Sequence, residues 1–300
     1  MLKFKTWISA ARLRTLPLSI AGILAGTGMA VRQGFFNPTI LIFALLTTLG
    51  LQVLSNFAND YGDGVKGTDN EDRVGPMRAL QSGIISDREM KNAMIITSII
   101  TMIFAGILIF SAFEKEELFN VFLFFVLGIL AVIAAIKYTV GKTAYGYRGL
   151  GDIFVFLFFG LLSTVGSYFL YTKMLNSSIW IIASIIGLLS TAVLNLNNMR
   201  DRKSDQKAGK FTLVVKLGAE KAKKYHFSLI LFSFVLSMIY LTNHTNYLNW
   251  FILIAFIPLF IHLKVVRENK IPENLDPELK KVALSTVLFA LLYLITGFLF

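Results

Sequence analysis

The sequence predicts an all-α integral membrane protein: nine transmembrane helices in a single bundle, with the N-terminus cytoplasmic and the C-terminus outside. Three observations carry that prediction. Of the 300 residues, 55% are hydrophobic and only 16% charged, with a mean hydropathy of +0.67, whereas soluble domains carry about 25% charged residues. Apolar runs recur near 15–31, 39–58, 92–112, 118–136, 152–171, 178–198, 226–242, 247–263 and 282–300, most of them close to the roughly 20 residues that cross a hydrocarbon core. Finally, the 29 Lys and Arg residues divide 26 to 3 between alternate connections, the asymmetry that short cytoplasmic loops show by retaining positive charge.

Taken in order, the run at 15–31 follows Lys3, Lys5, Arg12 and Arg14. It looks like the core of a secretion signal, but no small-residue cleavage site follows, so it reads as a retained anchor. The run at 39–58 ends at a connection bearing Lys66, Arg73, Arg78, Arg88 and Lys91, and the next two runs are separated by Lys115 alone. Lys137, Lys142 and Arg148 precede the run at 152–171, and only Lys173 lies before the run at 178–198. Nine basic residues from Arg200 to Lys224 lead into 226–242, and five from Lys264 to Lys281 separate the last two spans. The runs are continuously apolar rather than alternating, which favours helices over a β-barrel. Neither a linker nor a low-complexity segment interrupts residues 1–300, so one domain is expected.

Composition also excludes functions. Without cysteine there is no disulfide, thiolate nucleophile or Cys-bound metal. His226, His244 and His262 lie far apart in no ligand motif and read as structural. The net charge of +11 is scattered between apolar runs instead of forming a basic module with base-stacking aromatics, so nucleic acid is not an expected partner. Membrane lipid is.

The few acids are concentrated. One group follows the second span as Asn56-Phe-Ala-Asn59-Asp60-Tyr-Gly-Asp63, with Asp69 beyond it, and another follows the sixth as Asn197-Asn198-Met-Arg200-Asp201-Arg-Lys-Ser-Asp205. If each helix continues into its motif, Asn56, Asp60 and Asp63 share one face, and Asn197, Asp201 and Asp205 share another. The two spans run in the same direction, so both faces are expected at one side of the membrane, on halves of a pseudo-repeat opening to one cavity. Carboxylates gathered so closely repel unless a cation binds between them, and hard oxygen ligands favour Mg2+ shared with phosphate oxygens. A metal-bound diphosphate is the expected guest, its charge offset by Arg78, Lys142, Arg148, Arg200 and Lys210 on the same side. A third connection, Tyr138 through Lys142 to Tyr145-Gly-Tyr147-Arg148, supplies further donors, or else an interfacial aromatic belt.

Together these residues resemble the UbiA superfamily of intramembrane prenyltransferases, from Arg14-Thr-Leu-Pro17 onward and including Arg78 with Ser82-Gly83-Ile-Ile-Ser86. Within it, the two Asn/Asp motifs, the Tyr145 to Asp152 loop and Thr212-Leu look like the branch that prenylates 1,4-dihydroxy-2-naphthoate in menaquinone synthesis. The resemblance implies nine helices, an active site facing the cytoplasm in the inner (cytoplasmic) membrane, a polyprenyl diphosphate donor and an aromatic acceptor. It further implies that Asp60, Asp63, Asp201 and Asp205 bind magnesium, as two ions, and that Asn56, Asn59, Asn197 and Asn198 orient metal or phosphate. Tyr138, Tyr145 and Tyr147 are candidates for substrate contact. Rival readings are a sister enzyme acting on 4-hydroxybenzoate, homogentisate or haem, and a secondary transporter. A transporter, however, would be expected to hold its polar groups near the bilayer midplane rather than at one face.

Overall fold

A computed structural model describes residues 2–68, 78–243 and 246–299, apart from the Arg14 side chain. Asp69, His244 and Phe300 lie outside the described residues. Among those described there is no strand.

An N-terminal helix, α1 (Leu2–Ala11), precedes α2 (Leu16–Val31), and the two meet at 42°. The bend is built locally. Arg12 adopts a left-handed conformation (φ 51°), which is uncommon for a residue with a Cβ, and Pro17 sits in the first turn of α2, where its missing N–H costs nothing. The helices that follow are α3 (Pro38–Val65), α4 (Asp87–Ala112), α5 (Leu118–Lys137), α6 (Gly151–Thr172), α7 (Ser177–Lys207), α8 (Ala219–Thr242), α9 (Tyr247–Glu268) and α10 (Asp276–Phe298). All eight are long and apolar enough to cross a membrane, α10 together with its lead-in turn, and the bent pair makes nine when taken as one span.

Helix starts follow capping chemistry. The Asn37 and Asn176 side chains accept from the backbone N–H two residues on, and Ser86 with Glu89 forms a reciprocal capping box. The apolar runs mark only the lipid-crossing part of each helix. α3 continues past 58 to Val65, α7 past 198 to Lys207, and α10 begins at Asp276, before its apolar run. These extensions are polar and fall at one end of the bundle, where neighbouring helices replace lipid as the surroundings.

α2 and α7 form the centre. Ile179, Ile182, Ile185, Ile186 and Leu189 of α7 recur at three- and four-residue spacing and are fully buried. Around them α5 buries little, and Ile95, Ile99 and Ile103 of α4 form an exposed apolar stripe, as a lipid-facing surface requires. α6 contains a π-helical stretch, Phe156–Leu162, at whose centre Gly160 presses against α7. A Cβ on Gly160 would lie 2.5 Å from the Gly187 Cα, so Gly160→Leu is expected to force the helices apart and destabilise the protein by about 1–3 kcal/mol or more. Thermal unfolding in detergent checks this, with Gly106→Leu as the control, since a Cβ there meets nothing within 4 Å.

Candidate functional site

Both Asn/Asp motifs are helical to their ends, so the shared faces expected from spacing exist. α3 and α7 then stop in the same way. Gly67 and Gly209 take left-handed conformations (φ 71° and 70°), while Thr68 N–H donates to the Asp63 carbonyl (3.0 Å) and Lys210 N–H to the Asp205 carbonyl (2.8 Å). This is the Schellman closure, in which a left-handed residue, usually glycine, lets the chain fold back over the last turn. It returns Thr68 over Asp63 and Lys210 over Asp205, giving the two motifs matching geometry.

The acids are nearly inaccessible: Asp60 is 1% exposed, Asp63 4%, Asp201 7% and Asp205 5%. Buried carboxylates need partners, and here cations and donors supply them. Arg12 reaches Asp60 at 2.7 Å and Arg78 reaches it at 3.1 Å, with the Ala79 N–H adding a contact at 3.3 Å. Tyr147 donates to Asp63 (2.7 Å) and shares a hydrogen bond with Thr68 (2.6 Å). Arg200 grips Asp201 through two nitrogens (2.8 and 2.7 Å), donates to Asn197 Oδ1 (3.0 Å) and pairs with Asp276 on α10. Lys210 joins the two motifs, its Nζ standing 3.8 Å from Asp63 and 3.7 Å from Asp205. Asn56 is tied down by donating to the Ala11 carbonyl (2.8 Å) and to Thr15 (3.2 Å).

Burial and charge set the protonation of the loop groups. Burial alone would lower the Lys210 pKa, but Asp63 and Asp205 hold it well above the ordinary lysine value. Tyr138 is pushed up to about 12, first by burial, and Tyr145 and Tyr147 rise for the same reason, Tyr147 helped by Asp63. These phenols are neutral hydrogen-bond donors at physiological pH. Lys66, lowered mainly by burial, donates to the Thr139 carbonyl (2.7 Å) and lies 3.8 Å from the Tyr147 ring centre.

This polar end closes one side of a cavity of about 550 Å3 that runs between α2, α3, α4, α5, α6 and α7. Asn56, Asn59, Asp63, Arg78, Asn197, Asn198 and Lys210 line the polar part, together with Arg12, Gln52 and the start of α10. Deeper, the wall is apolar and aromatic: Tyr145 stacks on Phe154 (3.9 Å between centroids), Phe154 on Phe158 (6.1 Å), and Tyr138 meets Tyr145 edge-on (5.3 Å). Of the expected anion contacts, Lys142 and Arg148 are exposed and stand off this wall, Lys142 lining a shallow groove with Tyr61 and Lys66. Contributors not singled out from sequence include Arg12, Gln52, Asp276 and Lys280.

The donor set suits a hard cation. Every acid and amide here offers oxygen, and the Asn59 Oδ1 is buried beside the cavity with no hydrogen-bond partner among the described residues. Among the described residues no three acids or histidines are gathered closely enough to hold a metal by themselves; Arg12, Arg78, Arg200 and Lys210 stand among the carboxylates instead.

Residues 19–284 match the UbiA prenyltransferase family. The 1,4-dihydroxy-2-naphthoate octaprenyltransferase of Escherichia coli (strain K12) is 42% identical over 98% of this chain and 96% of its own. The enzyme of the same name from Haemophilus influenzae is 44% identical over 97% and 95%. A UbiA homolog from Archaeoglobus fulgidus, solved with GPP and Mg2+, shares the fold at a TM-score of 0.67, with 18% identity over 97% of this chain and 100% of that one. A family match across most of the chain, near-full-length relatives above 40% identity and the common helical fold agree that this protein belongs to the UbiA prenyltransferase family.

Proposed function

We propose that the protein transfers a polyprenyl group from its diphosphate to 1,4-dihydroxy-2-naphthoate, releasing diphosphate and carbon dioxide and forming demethylmenaquinol. The observation that carries the reaction class is the pairing of two acid-bearing helix ends, bridged by Lys210, with a cavity that turns apolar and aromatic beyond them. The acceptor rests on the relatives above 40% identity that bear its name.

Asp60, Asp63, Asp201 and Asp205 would hold magnesium, as two ions, with Asn59 offering an unclaimed oxygen. Bound there, magnesium supplies positive charge against the diphosphate and its developing leaving-group charge. The rest falls to the chain itself. Arg78 and Lys210, now on carboxylates, are the cations a diphosphate would recruit, so donor binding is an exchange of partners between acids and phosphate oxygens. As the allylic C–O bond breaks, its electron pair leaves with the diphosphate. The ring carbon bearing the carboxylate then bonds to the allylic carbon, and loss of carbon dioxide restores aromaticity. The apolar wall excludes water from that cation, and the faces of Tyr145, Phe154 and Phe158 offer π density to it. The charge asymmetry of the connections supports a cytoplasmic N-terminus, an outside C-terminus and a site facing the cytoplasm from the inner membrane.

Purified protein supplied with polyprenyl diphosphate, dihydroxynaphthoate and Mg2+ is expected to release diphosphate and carbon dioxide in equal amounts, and EDTA to stop both. Prenylation of 4-hydroxybenzoate, homogentisate or haem in preference, compared side by side, would reassign the acceptor. No diphosphate release with any of them, together with solute movement in liposomes, would favour a transporter.

A further inference from the structure

Among the described residues four cations line the cavity: Arg12, Arg78, Lys210 and Lys280. Three are committed to acids. Arg12 and Arg78 hold Asp60, and Lys210 bridges Asp63 and Asp205. Lys280 on α10 has no acidic partner among the described residues, although the helix that carries it is fixed on two sides.

On one side Asp276, four residues earlier and on the same helix face as Lys280, is held by Arg200, which also grips Asp201. On the other, Glu278 is buried, accepts from Lys281 (2.7 Å) and contacts His262 Nδ1 (2.5 Å), whose Nε2 meets His226 Nε2 at 2.8 Å. The first turns of α10 are therefore tied to α7 by Arg200 and to α8 and α9 by the histidine pair. Between these anchors Pro277, Leu279 and Lys280 border the cavity. Lys280 remains exposed, so it meets water as well as the cavity.

Resting on the proposed acceptor, we infer that Lys280 binds the carboxylate of the aromatic acid. An anion entering an apolar cavity needs a partner, and with a diphosphate drawing on Arg78 and Lys210 and with Arg12 held by Asp60, Lys280 is the one of these four still available. Its position at the polar rim suits a water-soluble acid arriving from the aqueous side while the isoprenoid occupies the apolar interior.

The test compares the full-length protein with Lys280→Ala and Lys280→Arg in lipid nanodiscs, measuring KM separately for polyprenyl diphosphate and for dihydroxynaphthoate. Lys280→Ala should raise the acceptor KM about tenfold or more and leave the donor KM unchanged. Lys280→Arg should recover most of the loss. Inhibition by 1,4-naphthalenediol, which lacks the carboxylate, should be equal in wild type and Lys280→Ala, an equality that a merely structural defect would break. Wild-type turnover with an unchanged acceptor KM in Lys280→Ala overturns the Lys280 proposal alone, as does a rise confined to the donor KM or an equal weakening of diol inhibition. Wild-type protein that prenylates no naphthoate overturns the acceptor reading, and this proposal with it.

Discussion

Asp60→Ala and Asp201→Ala are each expected to lower diphosphate release by at least about 10²- to 10³-fold, the loss seen when preorganised charge stabilisation is removed from a reacting centre. The two carboxylates lie on different helices, yet each stands in a buried network bordering the same cavity. The substitutions also strip partners from Arg12 and Arg78, or from Arg200, so a lower melting temperature should accompany the loss. Asp60→Asn and Asp201→Asn separate the two effects, because an amide still accepts hydrogen bonds from the arginines but is a poor magnesium ligand. If the Asn variants recover stability and remain inactive, the carboxylate charge is required. Activity above about a tenth of wild type in either Ala variant would sink the metal assignment, whose expected loss is far larger.

Lys210→Met should produce an opposed pair of effects. Without the ammonium, Asp63 and Asp205 face each other with less compensation, so the metal-free protein should melt earlier. Magnesium then has a less crowded site, and the rise in melting temperature on adding it should exceed that of wild type. Turnover should nonetheless fall at least about tenfold, because a charge-assisted contact to the leaving diphosphate is gone. A smaller magnesium response in the variant would contradict the idea that Lys210 holds the place of a metal. The pH dependence follows from the raised lysine pKa. A group whose pKa rises on folding stabilises the fold fully below its unfolded value and loses that contribution as pH climbs through the folded one. Lys210 should therefore support the fold unchanged through neutral pH, and its loss should appear only in strongly alkaline solution.

The membrane-crossing helices were legible because each apolar run is a direct imprint of hydrocarbon. The polar start of α10 was not, since Asp276 to Lys281 resemble ordinary loop charge until neighbouring helices approach them, whereas the spacing of Asn197, Asp201 and Asp205 already allowed α7 to continue into its motif. The Asn56, Asp60 and Asp63 face was readable because helical spacing alone defines it. Arg12 escaped notice for a different reason. Its approach to Asp60 depends on one left-handed residue that turns α1 away from α2, and arginine carries no sequence signal for that conformation. Lys142 and Arg148 lie on the expected side by charge count, but membrane side fixes only one coordinate, and the turn that carries them keeps both exposed. Asp276 came to the site through Arg200, a pairing across 76 residues that no local pattern encodes.

The twin closures of α3 and α7 have an electrostatic consequence. A helix C-terminus carries roughly half a negative charge from its aligned peptide dipoles, and both of these helices end beside their acids. Backbone and side chains thus build one negative well, which Arg12, Arg78, Arg200 and Lys210 keep filled. A bare diphosphate approaching that well meets repulsion from the frame and attraction only from cations already engaged. A metal chelate would bring its own positive charge, so on the proposed reading such a well favours the magnesium complex over the bare diphosphate, with Arg78 and Lys210 then able to turn to phosphate oxygens.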